Sequence, residues 1–176
     1  MPRVPLADFE PTLKQRLEEL WGTPPDLYRA LGNQPKLVAA WAEFANSIRH
    51  DSGTPRAMRE LIILRTAQLQ RSEYEWAAHL RMARKAGVTE QKIRELQNWR
   101  SGPFDDKERA ALALAEAVTR GEVSDAVHAE VSRHFSHAEY VELSLTAAFY
   151  CMVARMIDAL GVELDPGGRD YAPKLP

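Results

Sequence analysis

Glu60-Leu61-Ile62-Ile63-Leu64-Arg65-Thr66-Ala67-Gln68-Leu69-Gln70-Arg71-Ser72-Glu73-Tyr74-Glu75-Trp76-Ala77-Ala78-His79 reads as an apolar helix followed closely by a second one that opens at Ser72. Met58, Leu61, Ile62, Ile63, Leu64, Ala67 and Leu69 cover more than one stripe of a helical wheel, which predicts a central helix packed on several sides. In the second helix Glu75 and His79 stand four residues apart on one face, and Ser72 lies two turns from His79 on nearly the same side. With Glu60 on the preceding helix, two carboxylates, a hydroxyl and an imidazole collect at helical spacing.

Apolar residues recur every three or four positions nearly throughout the rest of the chain, and no alternating Val/Ile/Thr run interrupts them, so the fold class is all-α. A helix from about Pro11 to Leu20 stops at Gly22-Thr23-Pro24-Pro25, and a short helical piece follows at 26–31. Pro35 opens a helix to about Arg49, in which Leu37, Val38, Trp41, Phe44, Ala45 and Ile48 predict a buried stripe. Thr54 as N-cap and Pro55 as first helical residue begin the helix that carries Glu60. The motif helix runs from Glu73 to Lys85 with Gly87 as its stop, and further helices are expected at 89–97, from Asp105-x-x-Glu108 to Gly121, at 124–134, and from Ser136-x-x-Glu139 to Leu160. These make a helical bundle of about eight helices in one domain over residues 1–164, with a motif core at about 54–120. An extended Pro- and Gly-rich tail follows at 165–176.

At 176 residues and 45% hydrophobic, the chain is long enough for one substantial core. The net charge of −2, with Lys and Arg spread through the helices, argues against nucleic-acid binding. One cysteine, Cys151, excludes an internal disulfide framework and a Cys-rich zinc site. Its apolar surroundings suit a buried inert thiol, and the chain reads as cytoplasmic. Met1-Pro2-Arg3-Val4-Pro5-Leu6 lacks a leader's apolar core, and no apolar run approaches the roughly 18 unbroken residues of a membrane span. His128, His134 and His137 lack acidic or cysteine ligands in a recognised pattern, so they are expected at the surface and no metal is expected. Arg155 and Asp158, one turn apart, are expected to pair.

The motif resembles that of the carboxymuconolactone decarboxylase and alkylhydroperoxidase-D-like (AhpD-like) family. The peroxidase branch carries a Glu and, twelve residues on, Cys-x-x-Cys-x-x-x-His; here that spacing falls on Glu60, Ser72, Glu75 and His79. The resemblance continues through Glu60 to Arg65, Tyr74 to His79, Ala86-Gly87-Val88, Phe149-Tyr150 and Ala159-Leu160-Gly161. It implies an AhpD-like bundle that assembles into homo-oligomers, trimers or hexamers, for which the wide apolar surface of the last helix is suited. Serine is not oxidised to a sulfenate and a carboxylate forms no disulfide, so dithiol peroxidase activity does not carry over. The decarboxylase branch acts on a lactone without metal or organic cofactor. The resemblance thus implies no cofactor and acid–base chemistry, a lyase reaction on a small cyclic or aromatic organic acid.

In that reading His79 moves the proton, Glu60 or Glu75 fixes its tautomer, Ser72 contacts substrate, and Tyr74 and Trp76 shape the wall. Other readings stand beside it. Ser72-x-x-Glu75 is also a capping box, which is compatible with a site if the cap faces a pocket. Glu60 needs a buried partner, supplied by Arg59, Arg65 or His79. An antioxidant relative acting through Cys151 and a non-catalytic oligomeric small-molecule binder are the alternative functions.

Overall fold

The computed structural model describes residues 2–164 and 175, and the expected tail at 165–176 otherwise lies outside the described residues. Those residues form nine α-helices and no strand, one helix more than the approximate count expected, because the short piece at 26–31 is a helix in its own right. Two compact units divide them. The first comprises residues 2–52 and 155–163 and the second residues 53–154 with Leu164 and Leu175.

In the first unit α1 (Pro11–Trp21), α2 (Asp26–Leu31) and α3 (Pro35–His50) pack around Leu17, Leu27, Tyr28, Val38, Ala42, Ala45 and Ile48. Proline starts both α1 and α3, where its missing N–H removes no helical hydrogen bond. The expected α3 stripe is too wide. Leu37 and Phe44 are 67% and 44% exposed, because the buried face centres on Val38, Ala42 and Ala45, about 100° round the helix. The expected Arg155–Asp158 pair does not form among the described residues. Instead the Arg3 guanidinium donates to the carbonyls of Asp158 and, at 3.0 Å, Ala159, capping the end of the last helix.

The second unit is built on α4 (Arg56–Gln70), in which every residue from Met58 to Gln68 is buried, as the broad apolar content predicts. On one side Leu61, Leu64 and Ala67 pack with Trp76, Leu80 and Ala83 of α5 (Glu73–Lys85) and with Leu96, Trp99 and Phe104. Leu96 opens a 3-10 turn at Leu96–Asn98 after α6 (Glu90–Glu95), and Trp99 and Phe104 follow it. On the other side Met58 and Ile62 meet Ala110, Ala111, Leu114 and Ala115 of α7 (Asp106–Arg120), Val131 of α8 (Asp125–Ser132), and Leu143 and Ala147 of α9 (His137–Leu160). With apolar partners on both sides, α4 carries Glu60 through the interior.

Helix α4 starts at Arg56 without a side-chain cap, so Thr54 does not play the expected part. The carboxylate of Glu142 on α9 accepts instead from the Gly53 N–H at 2.9 Å and the Thr54 N–H at 2.8 Å. At its other end α4 closes on Arg71, left-handed at φ 53°, and the Ser72 N–H reaches back to the Ala67 carbonyl at 2.9 Å. This tight corner joins α4 to α5. Helix α9 is long and apolar enough to cross a membrane by length and composition; half of its most apolar window is buried inside the protein, as in a core helix.

Candidate active site

Helix α4 and helix α5 bring Glu60 and His79 together. His79 Nδ1 lies 2.8 Å from Glu60 Oε2, with Glu60 fully buried and His79 only 4% exposed. The other oxygen of Glu60 accepts from Arg56 Nε at 2.7 Å and from the same guanidinium's second nitrogen. Burial pushes the Glu60 carboxyl up, but the charges and hydrogen bonds of His79 and Arg56 outweigh it and hold the group below the usual carboxylate range. An ionised Glu60 only accepts, so Nδ1 is the donor of the pair. On the far side of the ring, His79 Nε2 stands 3.5 Å from Glu75 Oε2, and the Tyr150 ring meets the imidazole edge-on with centroids 4.7 Å apart.

Glu60 therefore has a cation that the sequence reading did not name. Arg56 precedes Glu60 by one helical turn and shares its face, which the i,i+4 rule could have found. Arg59 faces elsewhere and donates to Thr54, both to its carbonyl and, at 3.4 Å, to its hydroxyl. Arg65 is taken by Glu116 of α7, whose carboxylate also accepts from Trp99 Nε1 at 2.8 Å and from Arg100 at 2.7 Å. Burial raises Glu116, and these hydrogen bonds bring it down to about 2. Neither Glu116 nor its three donors carried a local sequence signal, since they come from α4, α7 and the segment between α6 and α7.

The three Ser/Asp-x-x-Glu motifs behave differently. At α7 the box closes, with Glu108 N–H donating to Asp105 at 2.8 Å and Asp105 N–H to Glu108 at 3.0 Å. At α9 the Ser136 N–H donates to Glu139 at 2.8 Å and the Glu139 N–H to Ser136 Oγ at 3.3 Å. At α5 only half of it forms: Glu75 N–H donates to Ser72 Oγ at 3.3 Å. The Ser72 N–H is already satisfied by Ala67, so the Glu75 side chain is not needed there and lies beside His79. Ser72 is thus an N-cap whose hydroxyl, among the described residues, accepts and does not donate, and Glu75 Oε2 stands beside the imidazole.

Trp76 is in the core between α5 and α4, packed with Leu61, Leu64 and Leu80. Tyr74 is half-buried in the first turn of α5, about 100° from Glu75. Cys151 is buried; its S–H donates to Thr119 Oγ1 at 3.5 Å and its sulfur accepts from Gln70 at 3.9 Å. His128 is exposed with its ring edge-on to Tyr140, and His134 pairs with Glu130 at 3.2 Å.

A sequence profile of the Carboxymuconolactone decarboxylase family matches residues 35–117, the stretch that holds Arg56, Glu60, Ser72, Glu75 and His79. The uncharacterized protein YdfG of Bacillus subtilis (strain 168) is 36% identical over 98 residues, 53% of this chain and 67% of YdfG. The chain belongs to the carboxymuconolactone decarboxylase family. Its fold is also that of the alkylhydroperoxidase AhpD core in a peroxidase-related protein from Ralstonia eutropha JMP134, with a TM-score of 0.82 at 20% identity over 95% of this chain and 94% of that one. The debrominase Bmp8 superposes equally well, with a TM-score of 0.82 at 17% identity over 97% of both chains. At these identities the likeness to both structures is one of fold, and this family member's chemistry has to be argued from Glu60, Glu75 and His79 themselves.

Proposed function

We propose that this family member is a cofactor-independent acid–base enzyme, a lyase acting on a small cyclic or aromatic organic acid. The observation that carries the reading is the buried series Arg56–Glu60–His79–Glu75, in which both nitrogens of one imidazole face carboxylates. Glu60 anchors Nδ1–H, and Nε2 with Glu75 forms the end that exchanges a proton with substrate. In a decarboxylation the substrate's carbon–carboxylate bond breaks, carbon dioxide leaves, and the electron pair stays on the ring carbon. That carbon then takes a proton from the His79–Glu75 end, which solvent replaces. The Ser72 hydroxyl binds a substrate oxygen. Family membership supports an enzyme, and a debrominase among the proteins of this fold is in keeping with one, while the choice of reaction rests on the site.

The enzyme acts as a homo-oligomer in this reading. Val141, Leu145 and Met152 of α9 are 54%, 43% and 40% exposed along one side of the helix, a stripe suited to a subunit contact.

A thermal-shift panel of small aromatic and lactone carboxylic acids, run on wild type and His79→Ala, tests the function. A compound that stabilises only the wild type supports it and supplies the assay substrate, on which His79→Ala is expected to lose about 10²-fold or more in activity. A His79→Ala protein that turns over such a compound unchanged overturns the acid–base reading in favour of a non-catalytic role for the site.

A further inference from the structure

We propose that Arg56 is the positioning residue for His79: by holding one oxygen of Glu60 it commits the other to Nδ1–H and so turns Nε2 toward Glu75. The inference rests on the acid–base reading above and names the residue that sets the state of its imidazole. The two oxygens of Glu60 are divided between two partners, Oε1 to the Arg56 guanidinium and Oε2 to His79. A planar carboxylate held at both corners cannot rotate without breaking one of these bonds.

The charge matters as well as the geometry. A fully buried carboxylate facing a neutral imidazole has an alternative state, in which the carboxyl keeps the proton, donates it to Nδ1 and leaves the imidazole proton on Nε2. That state avoids a buried negative charge, and it puts a proton on Nε2, where the Nδ1–H form leaves a lone pair for proton exchange. A guanidinium in contact with Glu60 removes the advantage, because the ionised carboxylate is then already paired. Arg56 is also the member of the series that water reaches, with 28% of its side chain exposed against 0% for Glu60 and 5% for His79, so it stays a solvated cation while it neutralises a buried anion.

The position of Arg56 makes a purely helical role a poor account of it. It is the first residue of α4, where the helix dipole disfavours a cation, and the first turn of α4 contains no acidic residue. A counterion for that arginine stands one helical turn away, at Glu60.

The test needs no substrate. The protein is labelled with 15N-histidine and 13Cδ-glutamate, and the His79 and Glu60 resonances are identified by their loss in His79→Gln and Glu60→Gln. Wild type is expected to carry the neutral imidazole's proton on Nδ1. Arg56→Met is expected to move that proton to Nε2 and to raise the Glu60 titration midpoint by about one to three pH units. Arg56→Lys, which keeps the charge, is expected to restore the Nδ1–H form. A folded Arg56→Met protein with the proton still on Nδ1 and an unchanged Glu60 midpoint overturns the role of Arg56 and leaves the acid–base reading intact. If Arg56→Met does not fold, Arg56→Gln, which keeps a donor and loses the charge, is judged by the same two signals. A wild-type imidazole without its proton on Nδ1 overturns the acid–base reading itself.

Discussion

The edge-on contact of Tyr150 with His79 is a single-residue feature whose contribution can be isolated. Tyr150→Phe keeps the ring and Tyr150→Leu removes it, so Leu is expected to cost about 1 kcal/mol more than Phe in urea unfolding, the scale of one aromatic pair. Equal losses would assign Tyr150's effect to its hydroxyl. This residue shows what was readable at this scale and what was not. Glu60, Glu75 and His79 announce themselves because helical spacing within α4 and α5 and the resemblance of their pattern place them together. Tyr150 and His79 meet only because α9 folds back against α5, and no local spacing encodes that contact. Arg56 was within reach of the i,i+4 rule, although Arg59, Arg65 and His79 were the partners expected from the sequence.

At the scale of the element, helix ends separate stability from function. Asp105→Ala opens the closed box on α7 and is expected to cost about 1 kcal/mol, measured as a shift in thermal or urea unfolding. Glu142 caps α4 from a different helix, through two backbone N–H groups. Burial pushes its carboxyl up, and the Gly53 and Thr54 amides together with the Thr54 hydroxyl and the Arg59 charge outweigh that, leaving it below the usual range. Its folded value lies under its unfolded one, so its contribution is whole above the ordinary carboxylate range and fades as pH falls through the lowered one. Glu142→Gln is expected to destabilise the protein by about 1–2 kcal/mol at pH 7, and by progressively less in acid; a loss that grew on acidification would rule out the clamp. The boxes at Asp105 and Ser136 were legible because each signal lies within four residues. The α4 cap was misassigned to Thr54 because a cap supplied by α9 leaves no mark near the helix it serves.

For the whole molecule the buried carboxylate of Glu116 ties α4, α7 and the segment between α6 and α7 together. With its folded carboxyl at about 2 and the ordinary value at 4.5, its stabilisation is present above pH 4.5 and is lost as pH falls toward 2, about 3 kcal/mol in all. Glu116→Gln is expected to flatten that limb of the stability–pH curve and to lower stability at pH 7, where Arg65 keeps its buried charge without a counterion. An unchanged acid limb in calorimetric melts would show that other carboxylates dominate. The exposed stripe of α9 gives a second prediction, that Leu145→Glu shifts the mass measured by light scattering toward the monomer. The all-helical class was legible from periodicity alone, because burial has to follow the 3.6-residue turn. The packing of α4 on two sides was legible from its excess of apolar positions, whereas the Glu116 cluster required chain segments that only the fold assembles.

The corner at Arg71 gives the motif a mechanical meaning. Because the Ser72 N–H is tied to Ala67 and Arg71 makes the whole turn, the distance from Glu60 to His79 is set by a joint with no slack. One residue inserted there would rotate α5 by about 100° and swing both Glu75 and His79 away from Glu60. The same insertion in the turn between Asn98 and Asp105 would leave that pair where it is. In this protein the count of residues between the two helices works as a gauge length, and a chain engineered with a longer corner would be expected to fold its helices and lose its site.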